Sequence, residues 1–185
     1  MHDFNIDINH ITRVEGHGNI VIDVKGGVIR ELRMEIVESP RFFEAMALGR
    51  SYKEVAHITS RICGICAVTH TTTSIKAIES ALGFEPSAQT IQLRKLLLHA
   101  EFIQSHILHL YFLTAPDFFG VASVFGMVKD NKETVLRGMR LKTVANDLCA
   151  LVGGRHIHPI TLKIGTFSKT PDCKSLAAFR DKILK

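Results

Sequence analysis

The sequence offers no uninterrupted apolar stretch suited to a bilayer. Its most apolar run, Leu96 to Leu113, is broken by His99, Glu101, Gln104, Ser105, His106 and His109, so a buried helix is expected there and a membrane span is not. The opening residues, MHDFNIDINH, lack the basic and apolar regions of a signal peptide, which points to a cytoplasmic protein. Cysteine is scarce. The four present, two of them in one Cys-x-x-Cys, suit thiols acting as ligands or redox groups in a reducing compartment and argue against a disulfide scaffold. A basic stripe with interleaved aromatics is missing as well. Residues 90–185 hold 14 of the 23 Lys and Arg and 7 of the 18 Asp and Glu, yet these charges are scattered through helical-looking sequence such as KDNKETVLRGMRLK. A solvated face or a surface for an acidic partner is therefore expected, and a nucleic-acid interface is not. Internal repeats and low-complexity linkers are also absent.

What is present suffices for a core: 46% of 185 residues are hydrophobic. The expected fold is α+β and mostly α, with a β-hairpin region over residues 1–38 and a helical region over 39–185. GNIVIDV and VIRELRMEIV alternate apolar and polar residues around Gly26-Gly27, a pair suited to a tight hairpin turn. Helices are expected over RFFEAMALG, closing at Gly49; over Gly64 to Leu82, stopping at Gly83; and from Pro86 to Thr114 without a breaker, about 28 residues or roughly 42 Å. Two more are expected over Asn131 to Val152 and from near Pro171 to the end.

The segment RICGICAVTH holds the densest chemistry. If a helix begins near Cys63, then Cys63, Cys66 and His70 share one side and converge on one atom. A helix N-terminus with Arg61 beside it favours the thiolate form that metals bind, and Gly64 leaves room for a bulky centre. A thioredoxin-like dithiol would need a buried strand before the motif, where YKEVAHITS looks helical or irregular. Haem attachment fails because alanine follows Cys66. A structural zinc site needs two more ligands, and Cys149 and Cys173 stand far apart, the first reading as a small core residue and the second as an ordinary thiol near a helix start. There remains a soft-metal site completed from elsewhere, since two thiolates suit nickel or iron with an open coordination position.

Other residues have plain readings. In TRVEGHG, Arg13, Glu15 and His17 alternate in strand fashion, which fits a solvated turn at a strand end. Glu44 reads as a surface helix acid, Asp117 as a helix cap, and GGRHIHP, with Arg155, His156 and His158, as a loop held by its own hydrogen bonds. His99 and His106, seven apart, read as ligands or, more simply, as buried hydrogen-bonded histidines.

Taken together and in this order, RVEGHG, RICGICAVTH, QSHILHLYFLTAPD and GGRHIHP resemble the N-terminal part of the large, catalytic subunit of nickel-iron hydrogenases. With SPRFFEAMALGR, the wording is closest to the cytoplasmic multimeric members. The resemblance implies roles. Cys63 would be a terminal thiolate on nickel, and Cys66 would bridge nickel to an iron carrying carbon monoxide and cyanide. His70 would hydrogen-bond near the bridging thiolate, and Glu15 would take the proton released when dihydrogen is split heterolytically. Glu44 would ligate a secondary magnesium or iron, and Asp117 would lie above the active site. Arg155 with His156 would face an iron-sulfur small subunit, beyond which further electron-transfer subunits would follow.

One departure matters. The family closes its site with a second motif, D-P-C-x-x-C-x-x-H, and no such motif occurs here. The expectation is an N-terminal segment that is inactive without that motif. The alternatives are a fold-related subunit of a respiratory complex I type enzyme, which the cysteine pair counts against, and an independent Cys-x-x-Cys zinc or redox module.

Overall fold

The computed structural model describes residues 3–184, which fall into two compact units dividing within the first helix, one reaching to Glu44 and the other beginning at Ala45. As expected, the fold is α+β and mostly helical.

In the first unit, β1 (Phe4–Ile8), β2 (Gly18–Lys25) and β3 (Val28–Ile36) form an antiparallel meander in that order. Lys25 pairs with Val28 across a two-residue turn in which Gly26 and Gly27 have φ of 59° and 75°. Two successive positive φ values match the right-handed twist of the strands, and only glycine adopts both without steric cost. The register places Ile6, Ile22 and Leu32 in one row and Ile8, Ile20 and Met34 in the next, so one face of the sheet is apolar. The opposite face is polar, with Arg33 bonding Glu31 and Glu35 and with Asn19 Nδ2 donating to Glu35 at 3.1 Å.

The segment carrying Glu15 is a turn before a strand, as its plain reading has it, although Arg13, Glu15 and His17 alternate in strand fashion. Residues 13–16 form bends, with Arg13 at φ 63° and Gly16 at 83°. Backbone in the left-handed region cannot continue a ladder. The bend is tied by Ile11 N–H to Gly18 O at 3.0 Å.

Helix α1 (Pro40–Ala47) has proline in its first turn and is followed by Gly49 in the left-handed region, as the sequence predicted. The second unit begins with α2 (Tyr52–Thr59), opened by a capping box of Ser51 and Glu54. Next come α3 (Ala67–Leu82), α4 (Ala88–Ile107), a π-helical stretch (Leu108–Thr114), the short α5 (Ala115–Phe118) and α6 (Val124–Met127), and the long α7 (Lys132–Gly153). A small hairpin of β4 (Leu162–Lys163) and β5 (Thr166–Phe167) precedes α8 (Cys173–Ile183). The core gathers Val68 and Ile75 of α3, Leu97 and Ala100 of α4, Leu148, Cys149 and Val152 of α7, and Leu162 and Phe167 of the hairpin. Among the described residues no helix is long and apolar enough to cross a membrane.

Two helical expectations need correction. The helix expected from Gly64 starts three residues later, at Ala67, with Cys66 outside it at φ −107°. The run from Pro86 to Thr114 is not one regular helix. It is capped by Ser87, whose hydroxyl accepts the Thr90 N–H, and it widens after Ile107 so that Ala115 N–H reaches back five residues to Leu110 O. Pro116 supplies a reason, since it has no N–H to give and its ring crowds the carbonyl four residues earlier. The widened turn lies against α7 at Gly138, where a Cβ would come within 2.8 Å of Tyr111.

Candidate metal centre

Cys63 and Cys66 are half-buried thiols in the turns between α2 and α3. They are not brought together by a shared helix face, because α3 has not yet begun. A tight turn does it instead, with Cys66 N–H donating to Cys63 Sγ at 3.2 Å. An N–H aimed at sulfur is what a thiolate ligand needs to hold its charge and direction. Between them, a Cβ on Gly64 would meet only Ile157 Cγ2 at 4.0 Å, so the space above the turn is open. The donor set, two soft sulfurs on an open half-buried turn, fits nickel or iron as the sequence suggested. Among the described residues no group of three or more His, Cys, Asp or Glu side chains is placed to hold a metal, so these residues would supply two ligands and no third.

Three elements hold the turn. From α4, Gln104 Nε2 donates to Ile65 O at 2.7 Å, inside the Cys-Gly-Ile-Cys loop. Three residues earlier on the same helix, Glu101, only 3% exposed, accepts the N–H groups of Val68 and Thr69 at 2.5 and 2.9 Å and the Thr69 hydroxyl. It thereby caps the N-terminus of α3, where unpaired donors concentrate and negative charge is favoured. Burial pushes the Glu101 carboxyl up; the bonds from Thr69 and Val68 oppose this without overcoming it. From the loop after α7, His158, with φ 54°, bonds through Nδ1 to Ser60 O at 2.7 Å, just before Arg61. Behind Gln104 stands Lys142 of α7, whose Nζ donates to the Gln104 backbone carbonyl at 3.2 Å and to its side-chain oxygen. Burial pushes the Lys142 ammonium down.

The long helix reverses the histidine expectation. His99 and His106 are exposed and flank the ring of Phe102 at 6.3 Å each. The polar side chains buried on α4 include Arg94, Glu101 and Gln104. In sequence, Glu101 and Gln104 read as interruptions of an apolar run; the signal that could have found them is their i, i+3 spacing, which sets both on one face. Arg94 pairs with Glu79 through two bonds of 2.8 and 2.6 Å, and Glu79 also takes the Gly165 N–H at 2.6 Å.

His70 is half-buried in the first turn of α3, its N–H bonded to Cys66 O at 3.2 Å. Asp117 lies exposed in α5, and Arg155 and His156 lie exposed in the loop after α7. Cys149 is a core residue, as read from the sequence, and burial first, then the nearby Glu101 charge, pushes its thiol up to about 11. Cys173 is exposed at the start of α8, which Asp172 caps. In the first unit, Glu15 and Glu44 are exposed. Beside Glu15, His17 donates its backbone N–H to Glu38 at 2.8 Å and contacts the same oxygen through Nδ1 at 2.9 Å. These bonds hold the Glu38 carboxyl below its ordinary range.

A family model described as nickel-dependent hydrogenase matches residues 41–137. The alpha subunit of sulfhydrogenase 2 from Pyrococcus furiosus is 42% identical over 171 residues, covering 92% of this chain and 42% of the relative. In the F420-non-reducing hydrogenase of Methanothermobacter thermautotrophicus, the matching subunit is 34% identical, with 88% and 36% covered. Among solved structures, an NAD+-reducing [NiFe]-hydrogenase in the H2-reduced state superposes with a TM-score of 0.80 at 29% identity, over 97% of this chain and 42% of that one. The chain thus spans about two fifths of the length of these relatives.

Proposed function

This chain belongs to the nickel-dependent hydrogenase family, and from that premise we propose that it is the N-terminal segment of a hydrogenase large subunit that supplies one half of a nickel-iron centre. The observation that carries this reading is the Cys66 N–H to Cys63 Sγ bond, in a turn held from α4 and left open above Gly64. Cys63 and Cys66 would hold a nickel-iron pair whose iron carries carbon monoxide and cyanide. When bound, the pair supplies the reversible heterolytic cleavage of dihydrogen.

The chain's own residues then have these tasks. His70, one turn into α3 from Cys66, would steady the Cys66 sulfur. Glu15 accepts the released proton and passes it outward, a task that an exposed carboxylate on a bend of fixed backbone suits. Asp117 would lie near the centre, Glu44 would ligate a secondary magnesium or iron, and Arg155 with His156 would face an iron-sulfur small subunit. Both named relatives are single subunits of larger hydrogenases, which supports an assembly of several chains. Electrons would leave through the small subunit to further electron-transfer subunits, in the cytoplasm. Cys149 is sealed in the core and Cys173 stands apart at α8, so the second thiolate pair comes from polypeptide outside these 185 residues, and this chain alone does not turn over dihydrogen.

The test is metal analysis and dihydrogen uptake of the assembled complex. Nickel and iron in equal amounts, with uptake abolished in Cys66→Ser, is the expected result. Full uptake in that variant ends the reading. A single tightly held zinc per chain would favour an independent zinc module.

A further inference from the structure

The cysteine turn is gripped at two points by a single face of α4, and Cys66 sits between them. On its N-terminal side Gln104 bonds Ile65 O, and on its C-terminal side Glu101 collects the Val68 and Thr69 N–H groups. Both gripping side chains are buried, at 7% and 3% exposure. An amide, unlike a carboxylate, presents a donor at one end and an acceptor at the other, so it grips a carbonyl only when turned the right way. Lys142 decides which way. Its Nζ donates to the Gln104 side-chain oxygen, and the opposite orientation would set amide donors against a donating Nζ and the amide oxygen against Ile65 O. The chain of contacts runs from α7, through α4, to the carbonyl one residue before Cys66.

We propose that Gln104, oriented by Lys142, is a positioning residue for the metal-binding turn: it fixes the Ile65 peptide so that the Cys66 N–H stays on Cys63 Sγ and the two sulfurs keep the spacing a metal requires. This rests on the reading of Cys63 and Cys66 as metal ligands and adds two residues that the sequence did not single out. Neither residue touches the metal in this scheme; both act through the backbone. If the turn were held by the Cys-x-x-Cys sequence alone, changing Gln104 would leave it unaltered.

The test uses the full chain and two substitutions that break the link at different places. Gln104→Glu keeps an acceptor for Lys142 but has no donor for Ile65 O. Lys142→Met leaves the donor but frees the amide to turn, and it serves alone should a buried carboxylate at 104 prevent folding. Two readouts are taken. The first, without metal, is hydrogen exchange of the Cys66 amide by NMR, expected to quicken roughly fivefold in each variant while amides within α7 do not change. The second is titration with nickel(II) followed by thiolate-to-nickel charge-transfer absorption, expected to show binding weakened about tenfold, with Cys66→Ser as baseline. Unchanged Cys66 exchange and unchanged nickel affinity overturn the proposal, as does a uniform rise in exchange across α3, α4 and α7, which would mark a purely structural role. Should the unaltered chain bind no nickel while Cys66 exchange still responds selectively, the positioning link stands and the metal reading of the pair falls.

Discussion

The bend that carries Glu15 and the turn that carries Cys63 and Cys66 are held in opposite ways. The bend is tied at the surface, where one carboxylate, Glu38, takes both contacts from His17 and both side chains are more than half exposed. The turn is tied from within, by Gln104 and Glu101 of α4 and by His158 against the nearly inaccessible Ser60. At the surface, water replaces a lost partner and salt screens a charge. In the interior nothing replaces it, so each missing bond leaves a donor or acceptor stranded. In the proposed roles, the group that trades protons benefits from contact with water, whereas the group that fixes metal geometry benefits from an interior that admits one arrangement.

The comparison can be broken most forcefully at a second interior contact, the buried ion pair between Arg94 and Glu79 near the C-terminal end of α3 and beside the β4–β5 hairpin. Arg94→Met leaves the Glu79 carboxylate buried without its partner and should cost about 3–5 kcal/mol in urea denaturation followed by helical circular dichroism; a loss below about 1 kcal/mol would mean that this interior is wet. The same pair sets an acid limit. Burial pushes the Glu79 carboxyl up, but the bonds from Arg94 and the Gly165 N–H outweigh it, and the group sits below its ordinary range. A folded value below the unfolded one means that ionisation stabilises the fold. The contribution is complete above the unfolded value of about 4.3 and is lost as pH falls through the folded value. Wild-type stability should therefore drop below about pH 4, and Arg94→Met should show a shallower drop over the same range.

Glu101→Ala, which strips the acceptor from the first N–H groups of α3, should cost about 2 kcal/mol in the same denaturation. A smaller effect is expected from Gly27→Ala, which forces a side chain into the left-handed region of the hairpin turn; about 1 kcal/mol is expected, read from the exchange of the β2 and β3 amides. The smallest effect belongs to Glu38→Gln. At neutral pH it should leave the thermal midpoint within experimental scatter and show itself only as loosened NMR signals of residues 11–17. A loss as large as that of Glu101→Ala would erase the distinction between the two loops.

Legibility in the sequence divides along the same line. The β2–β3 hairpin, its glycine turn, the glycine stops after α1, α3 and α7, and the Cys-x-x-Cys motif all depend on residues close together in the chain, and all are readable there. The start of α3 is not, because Cys63, Gly64 and Ile65 are held out of the helix by partners on α4 and after α7. The histidines of α4 read as buried and are exposed, while Glu101 and Gln104 read as interruptions and are buried. Hydropathy ranks side chains by type, and a polar side chain is buried only where distant partners satisfy it. Those partners lie 32 to 39 positions away in sequence. The widened turn at Leu108–Thr114 is partly signalled, since Pro116 is visible, but its match to Gly138 is not.

By itself the sequence determined the β2–β3 hairpin, the main helices that follow it, the turn chemistry and the thiol pair, because these follow from period, backbone preference and spacing within a few residues. The tertiary structure alone decided how the pair is held: a hydrogen bond across the turn, an amide turned by a lysine and a carboxylate capping α3. Those contacts join segments that no local pattern relates, and they persist because burial makes leaving them unmade more costly than making them.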